Sequence, residues 1–341
     1  DVWHWKDPQT QLAQLRTAAA ERGRSFLTRV NLKSGSLVQL ATKELPSVRI
    51  PSEGEPAYGL VLDGDRYQMQ STWGDGSQDV YLIHLATGTK RLIAEGLKGT
   101  ALFSPDGSFL ILVDAEERQI YAVKPATGEK TSLVKGLPNL FDEDADRPSL
   151  SFPYGFGGFT KEGGIVVYDK WDAWLLDLKG GKSPVCITRG MGKATETEYR
   201  LVTLNSESPW LDTSGQALFT RTENKTKEVS YAQGDFTGRT SPKTLIKGPM
   251  VVSGLMKAEG AEKYTYTKQS FSMFPDVWTS DLTFAKETRL SDANPQKSQY
   301  LWGTSELVEY YSNDGIPLQG VLIKPGGFDP TKQYPMVVYF V

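Results

Sequence analysis

Four carboxylates crowd into the stretch FDEDADRP: Asp142, Glu143, Asp144 and Asp146. Oxygen ligands at that density suit a hard divalent cation. The spacing lacks the central glycine and distal glutamate of a calcium-binding loop, so the stretch reads as a solvated connection between strands. A second acidic pair, Glu116-Glu117, falls in VDAEERQIY, where a hairpin tip is expected. Paired glutamates can clamp an amine, but at a tip they are expected to be solvated. Nucleophilic chemistry is poorly provided for. The single cysteine, Cys186, lies in the strand-like SPVCITRG and reads as a buried, inert thiol. One cysteine makes neither an internal disulfide nor a cysteine metal site. The two histidines are His4, between Trp3 and Trp5, and His84, in the strand-like VYLIHLA. Packing or turn anchoring accounts for both. No G-x-S-x-G string occurs, so the strand-to-helix elbow that presents a serine nucleophile is missing, and no serine or cysteine triad is expected. FPYGFGGF carries closely spaced glycines, but no helical pattern follows. A phosphate cradle needs that helix N-terminus, so the glycines read as a turn between strands. Asn224-Lys225-Thr226 fits the glycosylation sequon, which matters only in a eukaryotic secretory host. On these grounds no catalytic, cofactor-binding or metal-ligating residue is assigned, and no cofactor is expected.

The elements that would hold these residues are mostly strands. One stretch, KDPQTQLAQLRTAAAERG, reads as helix. Asp7 suits the N-cap and Pro8 the first helical position. Leu12, Leu15 and Ala19 share a face, and Gly23 can close the C-terminus. Beyond it, short runs rich in Val, Ile, Leu, Tyr and Thr alternate with Gly, Pro, Asp and Asn, the texture of antiparallel strands joined by turns. The chain has 341 residues, a formal net charge of -3 and no Lys/Arg cluster, which argues against a nucleic-acid partner. No apolar run approaches the roughly 18 residues of a membrane span, and no signal-peptide pattern opens the chain.

A repeat underlies the strands. DVYLIHLATGTKRLIAEGLKG and RQIYAVKPATGEKTSLVKGLPN align at an offset of 40 residues, placing Tyr81 on Tyr121 and Gly88 on Gly128. Weaker copies are DAWLLDLKGGKSPVCITRG, EVSYAQGDFTGRTSPKTLIKG and DVWTSDLTFAKETRLSD. Before most of them comes another pair split by a turn: TALFSPDGSFLILVD, GGFTKEGGIVVYDK and SPWLDTSGQALFTRTE. Four short strands per unit of about 40–55 residues is the signature of β-propeller blades, which stack around a channel. The fold class is therefore all-β, a propeller of about five full four-stranded blades, with an incomplete one around RSFLTRVNLKSGSLVQLATK. A β-sandwich is the competing architecture.

Two further segments carry a resemblance. LVEYYSNDGIPLQGVLIKPGGFDPTKQYPMVVYFV resembles the junction at which the propeller of the prolyl oligopeptidase family of serine peptidases hands over to the α/β-hydrolase domain. The matching features are the strand Val308 to Tyr311, the turn Asp314-Gly315, the strand Leu318 to Pro325, and Tyr334-Pro335 leading into the apolar run Met336 to Val341. QSFSMFPDVWTSDLTFAKETRLSDANPQ resembles the family's last blade, with Arg289-Leu290-Ser291 and Asn294 in the expected places. SPDGSFL, Ser104 to Leu110, is a motif the family shares with TolB-type periplasmic propellers. The resemblance is specific from about Phe271 onward and looks most similar to the dipeptidyl-peptidase-IV and acylaminoacyl-peptidase branch. It implies three parts: a strand and helix inserted in the propeller over 1–23, blades over 24–300, and the start of a truncated hydrolase domain over 301–341. The unbroken Met336 to Val341 would be a strand buried on both faces in the full enzyme and left without those neighbours in this chain. DVWHWKDP would be mid-propeller, with further blades upstream. The implied role is non-catalytic. The propeller would gate and position peptide substrates for a hydrolase domain following Val341, in a periplasmic or secreted enzyme, and the present chain alone would be inactive. The alternative is a stand-alone TolB-like protein-interaction propeller.

Overall fold

The computed structural model describes residues 4, 7, 9–71, 73–143, 149–205 and 207–339. Trp3, Trp5 and Pro8, Asp144 and Asp146 of the acidic stretch, and Phe340 and Val341 lie outside the described residues. Helix α1 (Gln11–Arg22) begins later than expected: Thr10 is its N-cap, accepting from the Ala13 N–H. The Asp7 carboxylate instead accepts from the His4 N–H at 2.9 Å, a local turn that removes it from the helix. Gly23 closes the helix, its N–H donating to the Ala19 carbonyl while the Arg24 N–H donates to that of Glu21. Leu12 and Leu15 stay exposed and no helix residue is buried, so the apolar face has no neighbour to cover it.

The chain divides into two compact units. The first comprises Asp1–Lys193, Asn205–Gln216 and Asp235–Ser241. It opens with the hairpin β1 (Thr28–Val30) and β2 (Leu37–Gln39). An antiparallel meander follows: β3 (Tyr58–Asp63), β4 (Gln78–His84) and β5 (Lys90–Leu97), with Arg49 bridged to Leu60 on the β3 edge. A four-stranded meander comes next, β6 (Gly99–Phe103), β7 (Leu110–Asp114), β8 (Gln119–Val123) and β9 (Lys130–Ser132). The third is β10 (Phe156–Thr160), β11 (Gly164–Tyr168), β12 (Ala173–Asp177) and β13 (Val185–Cys186).

The apolar run LILV of β7 shows how these sheets are held. Leu110 and Leu112 enter one core with Leu60, Val80 and Leu82 of β3 and β4. Ile111 and Val113, on the opposite face, enter another with Ile165, Val167 and Leu176 of β11 and β12. Successive side chains of a strand point to opposite faces, so this sheet is covered on both sides. β3 and β4 divide the same way: Val61 and Ile83 turn to a further core with Leu40, Leu45 and Leu85. Each fully buried Val, Leu or Ile contributes about 1.5–3 kcal/mol, and these strands supply them to two cores at once. A two-sheet sandwich has a single core between its sheets; the sheets of this unit form a stacked series instead.

The second unit comprises Ala194–Leu204, Ala217–Gly234 and Pro242–Val341. β14 (Thr197–Leu201) pairs antiparallel with β16 (Gln216–Glu223), which leads through β17 (Val229–Asp235) to β18 (Lys243–Thr244). β19 (Val251–Lys257), β20 (Tyr264–Ser270), β21 (Met273–Ser280) and β22 (Thr288–Arg289) make the next antiparallel set. Leu218 and Tyr231 pack against Val252, Leu255, Tyr264 and Tyr266. One pairing differs from expectation. SPWLDTSGQALFTRTE does not form a hairpin: β15 (Trp210–Leu211) lies parallel to β10 in the first unit, pairing Phe159 with Trp210 and Thr160 with Leu211. β10 has an open edge, and two residues of a passing loop are enough to satisfy it.

The turn before the last strand of each set repeats one device. Gly88 and Gly128 take φ of 73° and 80°, and their N–H groups donate to the His84 and Lys124 carbonyls at 2.7 and 2.8 Å. The 40-residue offset thus marks equivalent turns. Gly180 and Gly238 do the same at φ of 70° and 65°. At the fifth turn Phe284 takes φ of 56°. A side chain in that region costs about 1–2 kcal/mol. Here burial offsets it, because Phe284 stacks on Tyr231 and meets Tyr266 edge-on at 5.0 Å.

The last strands, β23 (Thr304–Tyr311) and β24 (Pro317–Lys324), pair only with each other among the described residues, through the turn at Asp314-Gly315. Met336 to Tyr339 form no strand and are exposed. The apolar run thus lacks, among the described residues, the neighbours that would bury it as a strand.

Two substitutions in these turns separate backbone strain from core packing in chemical denaturation. Gly128→Ala meets open space but a left-handed backbone and should lower stability by about 1 kcal/mol. Phe284→Gly relieves the backbone yet empties a core site, and the core loss of about 3–5 kcal/mol should win, leaving a net destabilisation of about 2 kcal/mol or more.

Candidate functional site

The turn Thr160–Gly164 between β10 and β11 stands among three adjoining depressions of about 160, 220 and 350 Å³. All lie within the first unit. The first runs between this turn and the β6–β7 turn, over Phe109 and Phe159, with Trp210 as a wall. The third continues along β15 past Trp210 to Ser214. The second opens on the other side, toward Leu175, Lys182 and Val185. Lys161 and Glu162 project from the turn and are exposed.

The turns that build this groove are rigid because their carboxylates are spent on the backbone. Asp106 accepts from the Ser104 hydroxyl at 2.7 Å and from the Ser108 N–H and hydroxyl at 3.0 and 2.5 Å. Partial burial pushes the Asp106 carboxyl up, but these hydrogen bonds outweigh it and hold it below its usual value. Asp177 accepts from the Lys179, Gly181 and Lys182 N–H groups. The Ser214 hydroxyl and N–H hold Asp212, whose carboxyl is lowered in consequence. Such side-chain-to-backbone bonds are what favour Asp and Ser in turns. Lys161, Glu162, Lys179 and Lys182 bring charges of either sign to the groove, beside an indole wall. Among the described residues no hydroxyl or thiol lining the groove stands next to a histidine.

The glycine run FGGF, expected as a turn, is part of β10. The strand bulges between Phe156 and Gly158, and its glycines make room. A Cβ on Gly158, whose φ is 124°, would stand 3.1 Å from Leu211 Cγ, and one on Gly157 would stand 2.6 Å from the Tyr168 hydroxyl. Glycine inside a strand often marks such a close approach, a signal that the reading of the run as a turn missed.

The other candidate residues are not brought to the groove. Glu116 and Glu117 cap the β7–β8 turn, both N–H groups donating to Asp114 Oδ1. Glu116 pairs with Lys98 at 2.7 Å, and Glu117 accepts from the Tyr121 hydroxyl. His84 packs edge-on against Tyr58 at 5.4 Å and contacts Thr87; His4 is exposed in the opening turn. Cys186 is half-buried in β13, and burial pushes its thiol up. Asn224 lies in the exposed β16–β17 turn. Among the described residues no group of three or more His, Cys, Asp or Glu side chains is placed to hold a metal ion. No helix is long and apolar enough to cross a membrane among the same residues.

No family model matches the chain, and no curated protein matches its sequence. Solved structures do resemble it. The structure of Porphyromonas gingivalis dipeptidyl peptidase 4 matches with a TM-score of 0.59 at 13% identity, over 92% of this chain and 49% of that one. The β-propeller domain of the trilobed protease from Pyrococcus furiosus matches at 15% identity and a TM-score of 0.29, over 79% and 92%. Pyrococcus horikoshii acylaminoacyl peptidase does so at 11% identity and 0.33, over 87% and 52%. The likeness of fold rests on the first, of whose length the chain spans about half. These proteins are peptidases of the kind that the sequence resembles.

The fit of Leu211 over Gly158 makes a prediction for β15. Gly158→Ala should displace β15 from β10, expose Trp210 and shift tryptophan emission to the red. Loss of stability should be about 1–2 kcal/mol, from backbone strain and overpacking. Unchanged emission would mean that β15 does not depend on the glycine.

Proposed function

We propose that the chain is the β-propeller portion of a prolyl-oligopeptidase-family serine peptidase. Its sheets are the blades, about five of them complete, arranged around a channel. It gates and positions peptides for an α/β-hydrolase domain that follows it in the full-length protein, at a periplasmic or secreted location. The hydrolase domain would supply the serine, aspartate and histidine and cleave through an acyl-enzyme. The supporting observation that carries most is the fold likeness to dipeptidyl peptidase 4 at a TM-score of 0.59. The stacked sheets with cores on both faces agree with it, as does the resemblance of the segment from Leu307 onward to the propeller–hydrolase junction. The groove around Lys161 and Glu162 fits a part in which substrate is held rather than cut.

The test compares two proteins. A fluorophosphonate probe and a panel of chromogenic dipeptide substrates are applied to this chain and to the product of the full-length gene. The expected result is labelling and turnover in the full-length protein only, with the label on a serine in a G-x-S-x-G elbow outside residues 1–341. Labelling of a serine in this chain with turnover would overturn the reading, as would a full-length protein that neither labels nor cleaves.

A further inference from the structure

In the sets that end on β9, β13, β18 and β22, the last strand reaches its neighbour by the same bond. The Leu133 N–H donates to the Ile120 carbonyl at 2.8 Å, Ile187 to Ala173 at 3.0 Å, Leu245 to Tyr231 at 2.9 Å and Leu290 to Val277 at 2.8 Å. These bonds align β8, β12, β17 and β21, and with them the residues just before the acceptors: Gln119, Asp172, Ser230 and Asp276. The 40-residue offset puts Asp79 of β4 at the position of Gln119. Aspartate thus holds three of these positions. All three are buried, Asp79 and Asp172 at 2% exposure and Asp276 at 3%.

Buried carboxylates need donors, and here the donors come from the end of the last strand or from just past it. Asp172 accepts from the Thr188 hydroxyl at 2.6 Å, and that hydroxyl accepts from the Ala173 N–H at 3.2 Å. Asp276 accepts from the Ser291 hydroxyl at 2.7 Å, which accepts from the Val277 N–H at 2.9 Å. The circuit is the same in both. Beyond it, Asp172 accepts from the Gly192 and Lys193 N–H groups at 2.8 and 3.0 Å, and Asp276 from the Ala293 N–H at 2.8 Å. Asp79 accepts from the Gly96 N–H at 2.8 Å, where Gly96 takes a φ of 61° near the end of β5, and from the Tyr67 hydroxyl at 2.8 Å. Arg66 stands 3.4 Å from Asp79, and Arg289 2.6 Å from Asp276. The other two positions differ. Gln119 accepts from the Ser132 hydroxyl at 3.0 Å, within β9 itself. The buried Ser230 hydroxyl has no partner among the described residues. Facing them are Val134 and Ile246, where the clamped sets have Thr188 and Ser291.

We propose that Asp79, Asp172 and Asp276 are one recurring clamp that shuts the segment leaving its sheet, and that the sheets without it let their outgoing segments open first. The segments after β5, β13 and β22 are clamped; those after β9 and β18 are not. Locked and unlocked connections therefore alternate along the chain. A segment whose N–H groups are held by a buried charge opens less readily than one held by neutral bonds. The clamp rests on internal bonds and does not depend on the chain being part of a peptidase.

The test is amide hydrogen exchange on the whole chain, followed residue by residue by NMR. In the parent, amides 135–136 and 247–248 should exchange faster than those of Gly96, Gly192, Lys193 and Ala293. Asp172→Asn keeps the shape and removes the charge. Gly192 and Lys193 should then exchange about 10- to 100-fold faster, the factor for lost hydrogen bonds to a charged group. Val166 in β11 and Gly96 should keep their parent rates. Thr188→Val should speed the same two amides less, and should add little to Asp172→Asn, because both act through one circuit. Asp79→Asn should do at Gly96 what Asp172→Asn does at Gly192. Ser230→Ala should leave amides 247–248 unchanged. The clamp is overturned if the parent shows the reverse order of rates, if Asp172→Asn leaves Gly192 and Lys193 at parent rates, or if Val166 speeds by the same factor as they do. Should Asp172→Asn fail to fold, Thr188→Val and Asp79→Asn decide by the same criterion.

Discussion

A small sheet that is apolar on both faces cannot stand alone in water, and much of this structure follows from that. β7 places Leu110 and Leu112 in one core and Ile111 and Val113 in the next. The meander to which it belongs is stable only between two others, and those need covering in turn. Stacking satisfies the sheets one after another, which a two-layer sandwich would not do. It also restricts the turns. Gly88 has the Gln39 carbonyl oxygen 3.0 Å from where a Cβ would be, so the left-handed turn and the close approach of the neighbouring strand fall on one residue.

This constraint was legible where it repeats. The copies around Gly88 and Gly128 sit at a fixed offset because each marks the same turn of a like sheet, and the Asp314-Gly315 turn was legible by its own chemistry. What escaped was non-repeating. β15 is two residues long and pairs with a strand about 50 residues away, which no local periodicity encodes. The helix start moved from Asp7 to Thr10 because Asp7 had a nearer donor in His4. The glycines of FGGF looked like a turn because glycine supplies both turns and close approaches; only the partner, Leu211, distinguishes the two. Met336 to Tyr339 read as a strand to be buried only by neighbours outside the sheets described, and they are exposed.

The groove was the least legible part. Its lining comes from the β6–β7, β10–β11 and β12–β13 turns and from β15, none of which carries a chemical motif. Of the residues that the sequence singled out, Glu116 and Glu117 finish a turn and His84 packs on Tyr58, away from the groove. A set of turns held by their own carboxylates around an indole wall, with Lys161, Glu162, Lys179 and Lys182 in its lining, is a surface suited to holding a ligand. The β23–β24 hairpin differs in kind: among the described residues its strands pair only with each other.

A cryo-electron microscopy structure of the full-length protein decides whether these sheets are, as we propose, the blades of a propeller serving a hydrolase domain. Sheets arranged radially about an open channel, each covered on both faces by its neighbours, with an α/β-hydrolase domain following the β23–β24 hairpin, are the expected result. A closed two-sheet sandwich, or a full-length protein with no second domain beside the sheets, would overturn the proposal.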